Sequence, residues 1–190
     1  MNQINLKIVA FVGMAGSGKS TAVDYLSEKA YPRVHFGEVI YKILDEKGLE
    51  YNQKNERRIR EEIRANEGMG AVANRIALQI NKLVDSGQHR IVADGLYGWE
   101  EYKVLKHKFP GSMIVIAMVS PKHERYKRLV KRKIRPLNET QAQDRDWAEI
   151  ENSEKGGPIA IADYYIMNDG DISGIYQQLD NILIQNNFYN

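Results

Sequence analysis

The stretch Gly13-Met14-Ala15-Gly16-Ser17-Gly18-Lys19-Ser20 decides the fold. It satisfies all four fixed positions of G-x-x-x-x-G-K-[ST], the phosphate-cradling P-loop. Before it, Lys7-Ile8-Val9-Ala10-Phe11-Val12 is a short apolar, β-branched run that reads as a buried strand, and residues 21–29 after it read as a helix. Glycines let the backbone turn successive N–H groups inward onto phosphate oxygens, and the helix N-terminus adds partial positive charge at the same spot. A glycine turn that merely joins strand to helix is the competing reading, and the two correct flanks weigh against it. Gly13, Ala15, Gly16, Ser17, Gly18, Lys19, Ser20 and Thr21 are therefore expected to line the phosphates of ATP. Lys19 would reach the β- and γ-phosphates and the Ser20 hydroxyl would ligate Mg2+.

Short apolar runs recur outward from this loop, at Arg33 to Phe36, Arg90 to Ala93, Met113 to Val119 and Asp163 to Met167. Helical patterns separate them over 21–29, 39–47, 56–66, 71–85, 99–108, 123–135, 141–153 and 172–185, with turn residues at Gly48, Gly68 to Gly70, Ser86-Gly87, Phe109 to Gly111, Gly156-Gly157-Pro158 and Asp169-Gly170. Strands alternating with helices imply right-handed βαβ units and a five-stranded parallel sheet covered on both faces, an α/β fold.

The remaining composition narrows the function classes. At 190 residues, with 43% hydrophobic and 27% charged residues, the chain suits one globular domain able to bury a substantial core. A net charge of +2 is too small to make nucleic acid or a membrane the main partner. The absence of cysteine excludes disulfides and thiol chemistry. No segment approaches the roughly 18 apolar residues of a membrane span, and residues 8–12 run directly into the loop without a signal-peptide pattern. A cytoplasmic protein, with a monomer slightly favoured, is the expectation.

Ligands of such sheets bind beyond the carboxyl ends of the strands. The residues leaving each strand are polar: Gly37-Glu38, Asp94-Gly95, Ser120-Pro121 and Asn168-Asp169-Gly170. Together with the loop they outline one crevice. Asp94 stands where a P-loop protein places the acid that holds Mg2+, often through water, and a simple Asp-Gly turn is the alternative. Glu38 offers a second carboxylate near an acceptor, and Tyr41 and Tyr97 follow the same two turns.

Two arginine series are candidates for phosphate. Arg57, Arg60 and Arg64 share one helical face opposite Ile59 and Ile63, so Arg60 and Arg64 can grip an acceptor, although a salt-bridged solvent face is the usual meaning of such a run. Arg125, Arg128, Arg132 and Arg135 fall within about 80° of arc on a helical wheel. A helix directing four guanidiniums to one side can stabilise charge on a transferring phosphoryl group. A solvated basic face or an RNA contact are the competing readings. Pro136-Leu137-Asn138 then breaks the helix, and Asp144-Arg145-Asp146 supplies another arginine, so the segment reads as a mobile lid that excludes water. His35, His89, His107 and His123 show no metal-ligand spacing.

With these parts in place the chain resembles the P-loop nucleoside monophosphate kinases, and more closely their adenylate-kinase-related, dephospho-CoA-kinase-like branch. The resemblance rests on Gly13–Ser20, on Phe36-Gly37-Glu38-Val39-Ile40 at the acceptor signature, on Ala93-Asp94-Gly95, on the arginines from Arg125, and on residues 162–170. It implies a three-layer fold with strand order 2-3-1-4-5, a single domain over 1–190 with an acceptor-binding insert at about 37–70 and a lid at about 121–157, and Asn168-Asp169 packed on adenine. It also implies γ-phosphoryl transfer from MgATP to a small nucleotide-like acceptor. Lys19, Arg128, Arg132 and Arg145 are the catalytic candidates, Glu38, Tyr41, Arg60, Arg64, Asp94 and Tyr97 the acceptor-site candidates, and Ser20 and Asp94 the metal ligands. Where adenylate kinases carry two arginines that grip AMP, Tyr41 and Leu96-Tyr97-Gly98 stand here, which argues against AMP. A P-loop NTPase acting as a slow regulatory or assembly switch is the alternative function.

Overall fold

β1 (Lys7–Val12) is apolar and buried from Ile8 to Val12, as suits a strand at the centre of the sheet, hydrogen-bonded to β3 (Arg90–Asp94) on one side and β4 (Met113–Val119) on the other. In the computed structural model, which describes residues 5–189, β2 (Arg33–His35) and β5 (Tyr164–Met167) complete a parallel five-stranded sheet in the order β2-β3-β1-β4-β5. This is the order implied by the resemblance.

Alternate residues of the strands face two separate cores. Ile8, Ala10 and Val12 pack with Ile91, Ala93, Val115 and Ala117 under α2 (Phe36–Glu46), α3 (Gln53–Glu67), α4 (Ala71–Asp85) and α5 (Trp99–Lys108). Val9 and Phe11 pack with Val92, Ile116, Met118 and Ile166 under α1 (Lys19–Glu28) and α9 (Ile172–Gln185). Three layers result. Each helix presents its apolar stripe at helical spacing, as in Val72, Ala73, Ile76, Ala77 and Ile80 of α4. Caps fix the ends: Asn52 accepts from the Asn55 N–H at 2.9 Å, and Asp171 accepts from the Gly174 N–H at 2.9 Å.

Register places the functional ends of the strands together. Asp94 is level with Phe11 of β1 and His35 of β2, and Val119 is level with Met167. The turns after all five strands therefore open at one edge of the sheet.

The helical reading differs from the structure in three places. α2 follows β2 directly from Phe36 rather than starting at the expected 39, so Gly37-Glu38 lie in its first turn instead of in a turn after the strand. α6 (Lys122–Val130) ends five residues before the expected 135, so Arg132 and Arg135 lie in the bends that follow and the four arginines form no common face. The cause is packing, since Leu129 is buried whereas Val130 and Ile134 are exposed, leaving the chain no apolar stripe to dock beyond Leu129. Conversely, Gly156-Gly157-Pro158, expected as a turn, begins the short helix α8 (Gly156–Ala160). Proline is tolerated in a first helical turn, where its missing N–H has no partner to lose. Gly157 sits against the Trp99 ring, where a Cβ would come within 2.9 Å.

Ile76→Ala should lower unfolding free energy by about 2–5 kcal/mol in a denaturant titration, because its side chain is wholly enclosed between α4 and the sheet. A loss within error of zero would contradict the packing of α4 described here.

Candidate functional site

The loop from Gly13 to Ser20 depends on glycine where neighbouring backbone presses against it. Gly13, Gly16 and Gly18 have φ of +144°, +79° and +100°, values that side chains rarely adopt. A Cβ on Gly13 would meet the Met118 carbonyl oxygen at 2.5 Å, and one on Gly16 would meet the Arg125 carbonyl oxygen at 2.8 Å. One on Gly18 would collide with the Asn168 amide. The loop is thus gripped by β4, by α6 and by the turn after β5.

Side chains complete that grip. Arg125 is buried, donates to the Ala15 carbonyl at 2.9 Å, and forms a two-pronged ion pair with Asp146 of α7 (Glu139–Glu151) at 2.8 and 2.6 Å. Arg128 reaches the Gly16 carbonyl at 3.4 Å, the Ser120 hydroxyl at 3.1 Å and the Asn168 carbonyl at 3.0 Å. Asn168 in turn donates to the Ser17 carbonyl at 2.9 Å. Arg125 is thus tied to loop backbone and Asp146, and the Arg128 contacts brace the loop. Asp169 is exposed beside Asn168.

Lys19 is half-buried and its ammonium donates to the Gly13 carbonyl at 2.6 Å and the Met14 carbonyl at 3.1 Å, across the mouth of the loop. Burial, followed by the nearby charge of Lys155, brings its pKa down to about 7, against the opposing pull of Glu149 and Asp94. A bound polyphosphate would reverse that shift by supplying negative charge. Ser20 is exposed at the start of α1, and Thr21 follows it half-buried.

On the lid side, Glu149 is the hub. Its Oε2 accepts the Ala15 N–H at 3.1 Å and lies 2.8 Å from the Lys155 ammonium, while its Oε1 accepts from Arg145 at 3.2 Å. Burial acts to raise its pKa, but the Lys155 and Arg145 charges hold the carboxyl below its ordinary value. Arg132, exposed in the bends after α6, stands within electrostatic reach of Arg145, Glu149 and Tyr97. Arg135 points elsewhere, to Glu56 of α3 at 3.0 Å.

On the opposite wall, Asp94 lies 3.7 Å from Arg33 and 3.8 Å from His35, and both of these also approach Glu38, at 3.8 and 3.9 Å. The Tyr41 ring packs between His35 and Tyr51. The Tyr97 hydroxyl is pushed up to about 12 by burial. Arg64 is paired loosely with Glu101, at 3.9 Å, and donates to the Asn152 carbonyl at 3.4 Å. Its Nε and Nη2 are buried with no hydrogen-bond partner in the protein. The charge of Arg60 is felt at Tyr97 and Glu101.

Lys19, Asp94, Tyr97, Arg60, Arg64, Arg132 and Arg145 therefore gather around one space. Sequence reasoning missed Glu101, Glu149 and Lys155. Glu101 had a signal, since a glutamate three residues into a helix can reach back to its first amides, and it accepts from the N–H groups of Tyr97 at 3.0 Å and Gly98 at 3.2 Å. Glu149 stands four residues after Arg145, a spacing that also describes ordinary surface pairs. Lys155 had no signal.

A metal fits the donor set. Among the described residues no group of three or more His, Asp or Glu side chains could hold one alone. Ser20 and Asp94 offer one hydroxyl and one carboxylate, the hard, sparse set that Mg2+ takes when phosphates and water supply the rest.

Sheet order and loop together define a P-loop kinase-like fold. The chain belongs to the AAA-domain family, whose model matches residues 9–154, and to the UPF0200 proteins. The UPF0200 protein of Sulfurisphaera tokodaii is 36% identical over 183 residues, covering 94% of this chain and 96% of the relative. That of Methanosarcina mazei is 38% identical over 127 residues, covering 67% of this chain and 66% of the relative. The UPF0200/UPF0201 protein of Archaeoglobus fulgidus is 30% identical over 190 residues, covering 96% of this chain but only 56% of the relative. Among solved structures, a Thermus thermophilus protein superposes with a TM-score of 0.66 at 18% identity over 95% of this chain and 98% of its own. Shikimate kinase from Acinetobacter baumannii does so with 0.55 at 22% identity over 95% and 94%. At these identities the likeness is one of fold. No helix among the described residues is long and apolar enough to cross a membrane.

The Arg125–Asp146 pair gives a double-mutant test. Asp146→Leu alone should destabilise the fold by about 3 kcal/mol or more by leaving Arg125 buried and unpaired, and adding Arg125→Met should restore much of the loss. Equal losses in the single and double variants, read from denaturant midpoints, would refute the coupling.

Proposed function

We propose that the chain is a small-molecule kinase that carries the γ-phosphoryl group of MgATP to an anionic, nucleotide-like acceptor of the nucleoside monophosphate or dephospho-CoA type. The observation that supports it is an imbalance of charge. Lys19, Lys155 and Arg145 sit within electrostatic reach of one another and Arg132 within reach of Arg145, and the carboxylates that reach Lys19 are Glu149 and Asp94. Like charges so placed repel, and a polyanion between them removes the repulsion. On the other wall Arg64 has two buried donor atoms without a hydrogen-bond partner in the protein, and its Glu101 partner is 3.9 Å away.

In this reading the loop amides and Lys19 hold the donor phosphates. Ser20 and Asp94 would hold Mg2+, which neutralises charge on the β- and γ-phosphates when bound. Arg132 and Arg145 face the transferring group, Arg128 fixes the loop beneath it, and Asn168-Asp169 border the nucleoside. Arg60 and Arg64, with Glu38, Tyr41 and Tyr97, form the acceptor wall, and residues 121–157 act as the lid. Catalysis by this arrangement is positioning and electrostatics, so no protein nucleophile is required. A slow NTPase switch is the second reading, favoured by the AAA-domain match.

Lys19→Ala should reduce turnover by about 100-fold or more while circular dichroism and melting stay native. Retained turnover in the folded variant would sink the assignment. A coupled assay across nucleoside monophosphates, deoxynucleotides and dephospho-CoA separates the two readings: an acceptor that raises ADP release above the acceptor-free rate marks a kinase, and no rise with any of them favours the switch. With the acceptor found, Arg64→Met should raise its KM about tenfold or more while leaving the KM for ATP unchanged, which steady-state kinetics would read directly.

A further inference from the structure

Lys155 lies outside every motif named above, and its surroundings are unusual for a lysine. Its side chain is 1% exposed, at the turn between α7 and α8. The ammonium is 2.8 Å from Glu149 Oε2 and 4.6 Å from the centre of the Tyr97 ring. The same Glu149 oxygen accepts the Ala15 N–H. One carboxylate oxygen thus separates Lys155 from the backbone of the P-loop, and one aromatic ring separates it from the acceptor wall.

A purely structural ion pair accounts poorly for this placement. Burying a lysine is costly, and a single buried pair contributes little that two apolar side chains would not. Here the cost is increased, because the Lys155 charge also bears on Lys19 and meets Arg145 and Arg60. The ammonium has three donors, and the contacts above account for one hydrogen bond and one ring face. It faces the Ala15 half of the loop, on the side of Tyr97 and Asp94, whereas Asn168 holds the Ser17-Gly18 half. In the proposed reading the phosphate nearest the acceptor wall is the terminal one, because it is the group transferred.

We propose that Lys155 is a second phosphate-binding lysine, which contacts the γ-phosphate of the donor and is aimed there by Glu149 acting as a positioning residue. The inference rests on the reading of the loop as an ATP site. Lys19 serves both β- and γ-phosphates, and Lys155 serves the γ-phosphate alone, so the two lysines divide affinity from discrimination. Wild-type protein should bind MgATP more tightly than MgADP, and Lys155 is the source of much of the difference.

Isothermal titration of the full chain with MgATP and MgADP tests this. In Lys155→Met the affinity for MgATP should fall on the order of tenfold, to near that for MgADP, while MgADP affinity changes by less than about twofold. Should that variant fail to fold, Glu149→Met/Lys155→Met removes the ion pair as a unit, and there the ratio of ATP to ADP affinity, rather than either affinity alone, should fall on the order of tenfold. A folded variant that keeps the wild-type ratio of ATP to ADP affinity overturns the proposal, as does a wild-type protein with no preference for ATP. Absence of binding of either nucleotide to the wild type overturns the parent reading of the loop instead.

Discussion

The candidate site depends on the backbone of residues 13–18 being held from outside. A loop that aims its N–H groups inward presents carbonyls outward, and those carbonyls need partners. Arg125 takes that of Ala15, Asn168 that of Ser17, and Arg128 that of Gly16, so two elements distant in sequence, α6 and the turn after β5, fix one turn of chain. Lys19 closes the remaining side on Gly13 and Met14. Preorganisation of this kind matters for phosphate chemistry because donors already in position need no reorganisation when charge arrives. The glycines follow from the same crowding, since three of them lie where a methyl group would strike neighbouring strands or α6.

The fold was legible in sequence because its signals are local. Strand β4 and helices α4, α5 and α9 have the boundaries that apolar periodicity and turn residues indicate. The P-loop was legible for the same reason, being contiguous. α6 was misread because arginine periodicity, unlike apolar periodicity, says nothing about what a helix face docks against. Arg125 meets Asp146, 21 residues on, and no spacing rule joins two such positions. Lys155 is the extreme case: its partners Glu149 and Tyr97 are brought to it by the packing of α8 against Trp99, and Gly156-Gly157-Pro158 disguises that helix as a turn.

The wall proposed for the acceptor shows how composition can mislead about role. Tyr41 and Tyr97 occupy places where phosphate-gripping arginines would be expected, yet Arg60 and Arg64 of α3 present guanidiniums to the same space. Arg64 is held by Glu101, and Glu101 is held by two amides at the start of α5. A chain of contacts thus runs from a helix N-terminus through a buried carboxylate to an arginine with donors unfilled. Burial raises the Glu101 pKa, with the amide bonds and Arg64 opposing it. The carboxylate is therefore sensitive to whatever Arg64 binds.

The two sides of the space differ in what confines them. The loop side is rigid by construction, with carbonyls satisfied and glycines enclosed. The lid side is attached to it through Arg125–Asp146 and through Glu149 on the Ala15 amide, so α7 cannot leave the loop without baring buried charge. The segment between α6 and α7 is the more open part, with Arg132 and Ile134 exposed. Under the proposed lid reading, a swing of that segment alone would move Arg132 while leaving Arg145 and Lys155 in place. In the proposed kinase the cations held by Glu149 would recognise the donor and Arg132 would respond to the acceptor, an order that suppresses hydrolysis before both substrates are bound.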